Sequence, residues 1–580
     1  MRTIRFLGRS LALATALALP ARAIGGDTSL PKPSADPVLE RILKLGREDN
    51  RVQEHTRTLC KTFGHRLTGT EGYDKAARWA VEQFQSYGLN ARLETWGEFP
   101  MRFERGYSTG GMVEPIEIDY TFITPAWSPG TGGRKRGPAI LEPTTEEGLE
   151  AVRSRLAGAW IVNAEPAPPG DLRRKLREAC VEAKAHGFIR PGGRSERLLM
   201  GGNHQVEEGK IPEQASIQLL RSQYDALRSR LEKAEEPVVL EFDVRNKLIP
   251  GPVACTNVVA DLVGVEKPDE FVIVGGHLDA WDAAEGAQDN ATGCATALEA
   301  ARLIASAGGR PRRTIRFLLF GGEEQGLFGS RGYVEAHEDE LEKTSIALIH
   351  DGGGTVLSGL DTTYAMLDDF EKVFAPLSTG ELEGDAERFP FRIGESDGLL
   401  NTGDSDHAPF LQAGVPGFFW NQSGEGYSRI HHTHFDVFET IDPAQQERSA
   451  IVVAVGAYGF AQLDHLLDRT DSKAVEPRRM GVSLEGLRVT RVSGRGKAKG
   501  AGWQEGDVIL SIDGREPKDR DEVTEIVRSG GGKKTFRLKR AEEIVESTID
   551  WGDEGSEKER GERAARREAW LRARASSATK

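Results

Sequence analysis

The sequence is short of cysteine, of positive charge in excess and of long apolar runs. Its four cysteines, Cys60, Cys180, Cys255 and Cys294, include no Cys-x-x-Cys pair and no Cys/His spacing of a metal finger. That excludes a zinc–thiolate site. Four thiols allow about three full disulfide pairings, and spacing does not choose among them. Lys and Arg number 76 against 90 Asp and Glu, for a formal net charge of −14. A chain so acidic lacks the clustered cations that a phosphate backbone requires, which argues against nucleic acid as a partner. The apolar run at residues 11–19 is too short for a bilayer, which takes about 20 apolar residues. No later segment reads as a membrane span.

Arg2, Arg5 and Arg9 precede that run, and Ala21-Arg22-Ala23 follows it. Positive, then apolar, then small-x-small is the order of a secretory signal. Residues 1–23 are expected to be a signal peptide and the mature chain to be exported, periplasmic or extracellular. The 580 residues exceed one ordinary core and suggest several domains. Helical spacing is expected over 36–63 and 72–87, then a strand over 89–96. Between about 110 and 250 short strand-like pieces alternate with loops, with helices near 146–156 and 223–235, and this reads as an insert. From 257 to 467 apolar strands alternate with helices, the pattern of a sheet covered on both faces. The expected units are a catalytic domain over 36–109 and 251–468, the insert over 110–250, a small β-rich module over 474–551 and a charged tail over 552–580.

The chemistry lies where strands of the α/β region end. One apolar run leads into Gly276-His277-Leu278-Asp279, a second into Gly321-Gly322-Glu323-Glu324, a third into His350-Asp351. Sites in open α/β sheets form at the carboxyl ends of strands. Asp289 stands at a helix start between the first two, and His431-His432-Thr433-His434-Phe435-Asp436 follows later. Singly, each has an ordinary reading: a surface histidine, a solvated Glu-Glu turn, a helix cap. Ligand-type residues at three successive strand ends do not. Imidazole and carboxylate together suit zinc. Five ligands hold two zinc ions if one carboxylate bridges. Asp289 is the natural bridge, with His277 and Asp351 on one side and Glu324 and His432 on the other. Asp279 is placed to accept a hydrogen bond from the free imidazole nitrogen of His277. Neighbouring side chains on extended backbone point opposite ways. With Glu324 on a metal, Glu323 is left to face the attacking water and take its proton. The reaction class that follows is amide hydrolysis.

At these residues the chain resembles the two-zinc exopeptidases that include carboxypeptidase Q, glutamate carboxypeptidase and the bacterial leucine-type aminopeptidases. The likeness rests on Gly275-Gly276-His277-Leu278-Asp279, Gly286-Ala287-Gln288-Asp289-Asn290-Ala291-Thr292-Gly293, Glu323-Glu324-Gln325-Gly326-Leu327-Phe328-Gly329-Ser330, Asp406-His407, and His432-Thr433-His434-Phe435-Asp436. It implies a mixed-sheet zinc-exopeptidase fold, two Zn2+ per chain and Glu323 as general base. It places the last histidine ligand four residues before the aspartate, which selects His432 over His431 and His434. Gly64-His65-Arg66-Leu67-Thr68-Gly69 is similar to the family's Arg-containing turn. The insert is similar to a β-rich protease-associated domain, through Gly158-Ala159-Trp160-Ile161-Val162 and Ala183-Lys184-Ala185-His186-Gly187-Phe188. The module around Ala501-Gly502-Trp503-Gln504-Glu505-Gly506-Asp507-Val508-Ile509 resembles a PDZ domain, whose partner would be an extended peptide C-terminus. A second copy of the chain is a further candidate partner.

An aminopeptidase needs an anion for the substrate ammonium, and Glu285, Asp404 and Asp406 are candidates. A carboxypeptidase needs a cation, and Arg429, His431 and His434 are candidates. The surroundings of His277 and the doubled histidine before Thr433 look nearest to carboxypeptidase Q, so a dipeptide or short peptide is the expected substrate. Two rivals share the fold: a single-zinc acyltransferase of the glutaminyl cyclase kind, and a non-catalytic scaffold.

Overall fold

The computed structural model describes residues 36–577, apart from 195, 234–235, 379–387, 397, 402, 425, 476–477, 495, 529–531, 542 and 553–556. The expected signal peptide, residues 1–23, lies outside the described residues. Among the described residues, no helix is long and apolar enough to cross a membrane.

A six-stranded mixed sheet organises the peptide chain around the strand ends singled out above. Its order is Asn90–Glu104, Lys247–Leu262, Arg313–Phe320, Lys267–His277, Thr344–Ile349 and Gly417–Phe419. The first three strands pair antiparallel, and the remaining pairings are parallel. Parallel strands buried on both faces read as continuous apolar runs, which is why Arg313–Phe320 and Thr344–Ile349 are buried at every position. Side chains alternate between two cores. Val272, Val274, Ile315, Phe317, Ile346 and Leu348 face one, with helices Thr292–Ser306 and Pro443–Gln462. Ile273, Leu318, Phe320, Ala347 and Ile349 face the other, with Tyr333 and Phe410 from helices Phe328–Ala336 and His407–Gln412. Helices thus cover both faces, as the strand–helix alternation predicts.

The two long strands Asn90–Glu104 and Lys247–Leu262 run as an antiparallel ribbon up to the pair Glu104 and Lys247, and the intervening chain forms the insert. Its eight-stranded sheet includes four parallel neighbours, Lys135–Leu141, Trp160–Val162, Gly187–Pro191 and Ala215–Leu219. The insert is less purely β than expected. Helices Glu146–Val152 and Arg221–Lys233 fall near their expected places, and a third, Gly170–Glu182, packs Leu172, Leu176, Ala179 and Cys180 into a satellite core.

The C-terminal module is a five-stranded antiparallel sheet with Val482–Glu485 at one edge, closed over a core containing Trp503, Ile509 and Phe536. The charged tail contains a helix, Glu557–Ser577, that packs back on earlier parts of the chain: Arg566 pairs with Asp471 at 2.7 Å and Arg574 with Asp368 at 3.0 Å. All four cysteines are buried free thiols.

Candidate functional site

The carboxyl ends of the central strands deliver the expected side chains to one place. His277 ends its strand fully buried, with Nε2 2.9 Å from Asp351 Oδ1 and 3.1 Å from Asp289 Oδ1. The other carboxylate oxygen of Asp289 faces the opposite way, 3.3 Å from His432 Nε2. His432 Nε2 in turn lies 2.8 Å from Glu324 Oε2. The five expected ligands therefore form two groups that share Asp289. Glu323 lies beside them, its Oε2 4.0 Å from His277 Nε2.

Local backbone makes this convergence feasible. Gly322 has φ of 72°, a turn that lets the chain reverse after the strand. At Gly293 an added Cβ would stand 2.2 Å from the carbonyl of His350, so only glycine lets this helix start close against the third strand end. Asn290 ties the same elements, donating to the His350 carbonyl at 2.8 Å and accepting from Gly293 N at 3.0 Å.

The contacts around the ligands correct one expectation. The imidazole Nδ1 of His277 meets the main-chain carbonyl of Asp279 at 2.9 Å, while the Asp279 carboxylate is 3.7 Å away, too far for a hydrogen bond. That carboxylate instead accepts the backbone N–H groups of Glu323 and Glu324, both at 3.3 Å. Asp279 fixes the histidine through its backbone and the Glu-Glu turn through its side chain.

Other residues hold the ligands in place, of which Tyr427 alone carries no sequence signal. Asp436 accepts the backbone N–H of Gln288 at 2.6 Å and of Asp289 at 3.2 Å, which orients the bridging carboxylate. Its fixed spacing after His432 was the one hint of a role. Tyr427 packs tilted against His431, with ring centroids 5.2 Å apart. Arg66 is fully buried and donates to five main-chain carbonyls, those of Leu59, Gly64, Leu278, Glu285 and Gly286. It clamps the turn after His277 to the approach to Asp289.

Among the six candidates for a substrate terminus, most are already engaged. Glu285 accepts from Lys61 at 2.6 Å and from Phe438 N at 2.8 Å. Asp404 pairs with Arg479 at 3.2 Å. Asp406 is fully buried, and Arg429 lies over the Phe435 ring at 5.0 Å. His434 Nδ1 accepts from Leu198 N at 3.1 Å. His431 is half-exposed, stacks on His432 with centroids 3.8 Å apart and reaches within 3.7 Å of Asp289.

The charges are those of a cation site. Burial and neighbouring carboxylates push both Glu323 and Glu324 well above the ordinary carboxylate range. Burial would lower His277, but Asp351 and Glu323 carry it well above its usual value. Burial opposes ionisation of Asp289 too, yet His277, His432 and His431 hold it at about 2. Buried carboxylates gathered this densely demand a compensating positive charge. Glu324 Oε2 and His432 Nε2 add a geometric sign. They approach to 2.8 Å, yet Glu324 Oε2 makes no hydrogen bond. Two donor atoms so close and so misaligned are turned toward a common third atom, as metal ligands are.

Residues 257–456 match the family model described as Peptidase family M28. The match spans all five ligand candidates and Glu323, from the strand of His277 to beyond His432. Over 450 residues the chain is 29% identical to carboxypeptidase Q of Mus musculus, covering 75% of this chain and 91% of that protein. Carboxypeptidase Q of Homo sapiens is 28% identical over 458 residues, with 75% and 91% covered. A solved structure of a peptidase M28 precursor from Shewanella amazonensis SB2B superposes with a TM-score of 0.55 at 24% identity, over 74% of this chain and 97% of that one. That likeness concerns the fold; beyond the matched residues 257–456 this chain continues into the C-terminal module and the helix Glu557–Ser577.

Proposed function

We propose that the protein is an exported, zinc-dependent exopeptidase that hydrolyses dipeptides or short peptides, with Glu323 as general base. One observation carries this reading: the two oxygens of Asp289 face opposite imidazoles, at 3.1 Å from His277 and 3.3 Å from His432. A carboxylate so placed would serve both metals, with His277 and Asp351 holding one and His432 and Glu324 the other. Zinc held there would supply Lewis-acid polarisation of the scissile carbonyl and ease ionisation of water.

The chain's own residues do the rest. Glu323 is anchored at its backbone by Asp279, and its carboxylate sits largely buried beside the ligand cluster. A carboxylate so placed accepts a proton from the attacking water and returns it to the leaving amine. Trp281 N donates to Glu324 Oε1 at 3.2 Å, which holds that carboxylate so that its other oxygen points at His432. His431, half-exposed beside Asp289 with Tyr427 against it, marks where a substrate terminus would lie. A single-metal acyltransferase would leave the His277–Asp351 group without a task. The edge strand Val482–Glu485 suits docking of an extended peptide C-terminus by strand addition.

The test is one dipeptide offered free, N-acetylated and C-amidated to the zinc-loaded protein. Loss of cleavage on acetylation alone marks an aminopeptidase, on amidation alone a carboxypeptidase, and on both a dipeptidase. No cleavage of any form, with two zinc ions bound, would overturn the peptidase reading for these substrates.

A further inference from the structure

The loop that carries His432 is held from outside the peptidase domain. Residues 197–200 of the insert run beside residues 432–434, and Leu199 and Thr433 form an isolated antiparallel bridge. Met200 N donates to the His432 carbonyl at 2.9 Å, and His434 N donates to the Leu198 carbonyl at 3.3 Å. Leu198 N donates to His434 Nδ1 at 3.1 Å. Arg197 adds a bond from its guanidinium to the Ser428 carbonyl at 2.8 Å. The segment is itself fixed to the insert. Leu199 N donates at 2.6 Å to the side chain of Gln218, which lies buried on strand Ala215–Leu219, and Gly193 N donates to the Arg197 carbonyl at 2.6 Å.

This support falls where the ligand loop needs it. His432 has φ of 53°, in the left-handed region that side chains rarely adopt. The loop's own bonds, Thr433 N to Ile430 O at 2.9 Å and Asp436 N to Thr433 O at 3.1 Å, close the turns on either side. The carbonyl of His432 and the N–H of His434 find their partners on the insert instead. A strained backbone conformation persists only where its surroundings over-determine it. The insert also reaches the imidazole by way of rings: Trp127 packs edge-on against Trp281, and Trp281 edge-on against His432, with centroids 6.4 and 6.3 Å apart.

We infer that the insert is a structural part of the metal centre: residues 197–200 are a strap that sets the backbone of His432 and so aims its imidazole at Glu324 and Asp289. Met200 N–H and the His434 side chain are the positioning groups. The inference rests on the two-zinc reading above. It adds an asymmetry, because the strap's bonds fall on the His432 side of the pair and none reaches His277 or Asp351.

The test is titration of the metal-free, full-length protein with zinc, in competition with a chromophoric chelator. His434→Ala removes the acceptor for Leu198 N–H, and Met200→Pro removes the donor to the His432 carbonyl. In both, the first equivalent should bind as in the parent and the second about 10- to 100-fold more weakly, the usual cost of losing a group that orients a ligand. His434→Gln, which keeps a side-chain acceptor, should recover most of that loss. Thermal midpoints of the metal-free variants should stay near the parent's, which separates positioning from unfolding. If Met200→Pro fails to fold, the contrast between His434→Ala and His434→Gln decides. Two equivalents bound with parental affinity in His434→Ala would overturn the strap, as would equal weakening of both equivalents in a folded variant. Fewer than two equivalents in the parent would instead overturn the two-zinc reading on which it rests.

Discussion

Asp279 binds the backbone N–H of Glu323 through its carboxylate while its own carbonyl meets the imidazole of His277. One residue therefore registers the candidate base against a candidate ligand. Asp279→Asn keeps the backbone contact and replaces one of the two accepting oxygens by a donor that faces an N–H. The expected outcome is a fall in kcat of about 10- to 100-fold with zinc stoichiometry retained. An unchanged kcat would show that the Glu-Glu turn holds its place without the carboxylate.

Glu323→Gln removes the proton acceptor and preserves shape. Loss of a general base costs typically about 10²–10⁴-fold in rate, so kcat should fall in that range while two zinc ions still bind. Near-parental turnover would move the base elsewhere, and loss of metal would make Glu323 a ligand.

Arg66 donates to five carbonyls, and no lysine can reproduce that fork. Arg66→Lys leaves several buried carbonyls unpaired. At about 1–3 kcal/mol for each unsatisfied buried group, with partial relaxation, the expected destabilisation is about 3 kcal/mol in urea unfolding. A cost below about 1 kcal/mol, close to that of an ordinary surface change, would mean the clamp is dispensable.

His337 provides a pH-dependent contribution far from the metal ligands. Its Nδ1 lies 3.0 Å from Glu340 Oε2 and its Nε2 2.8 Å from Glu94 Oε1. Hydrogen bonds to Glu340 and then Glu94 raise it from 6.5 to about 9. A pKa raised on folding stabilises the fold fully below the unfolded value, and the gain is lost as pH rises through the folded one. His337→Gln should therefore lower the thermal midpoint clearly at pH 6 and hardly at pH 10. An equal loss at both would show that packing, not charge, is what the histidine supplies.

Much of the candidate site is legible because three of the five ligands, and Glu323, follow apolar strands. His277, Glu323, Glu324 and Asp351 sit directly after buried runs, and the sheet's parallel order brings those ends together. The alternation of apolar strands with helices likewise predicts helices on both faces. What stays hidden depends on contacts without periodicity. The strap at 197–200 meets residues 432–434 through main-chain groups, which any side chains could accompany. Helix Gly170–Glu182 does space its buried residues at 172, 176, 179 and 180, but charge at the positions between dilutes the pattern. The two hydrogen-bonding faces of Asp279 are indistinguishable in a sequence, since one belongs to the backbone. The tail helix reads as charge alone until Asp471 and Asp368 are seen opposite its arginines.

The ribbon that ends at Glu104 and Lys247 has a consequence for how the chain assembles. Closing a flexible loop costs entropy that grows with its length. Residues 105–246 would be a long loop if they stayed unfolded while the central sheet formed. Once folded, with both ends side by side at the tip of the ribbon, they count to the rest of the chain as little more than a hairpin turn. An insert that folds early thus shortens the search for its host, and the sheet pays closure entropy for a bend rather than for a domain.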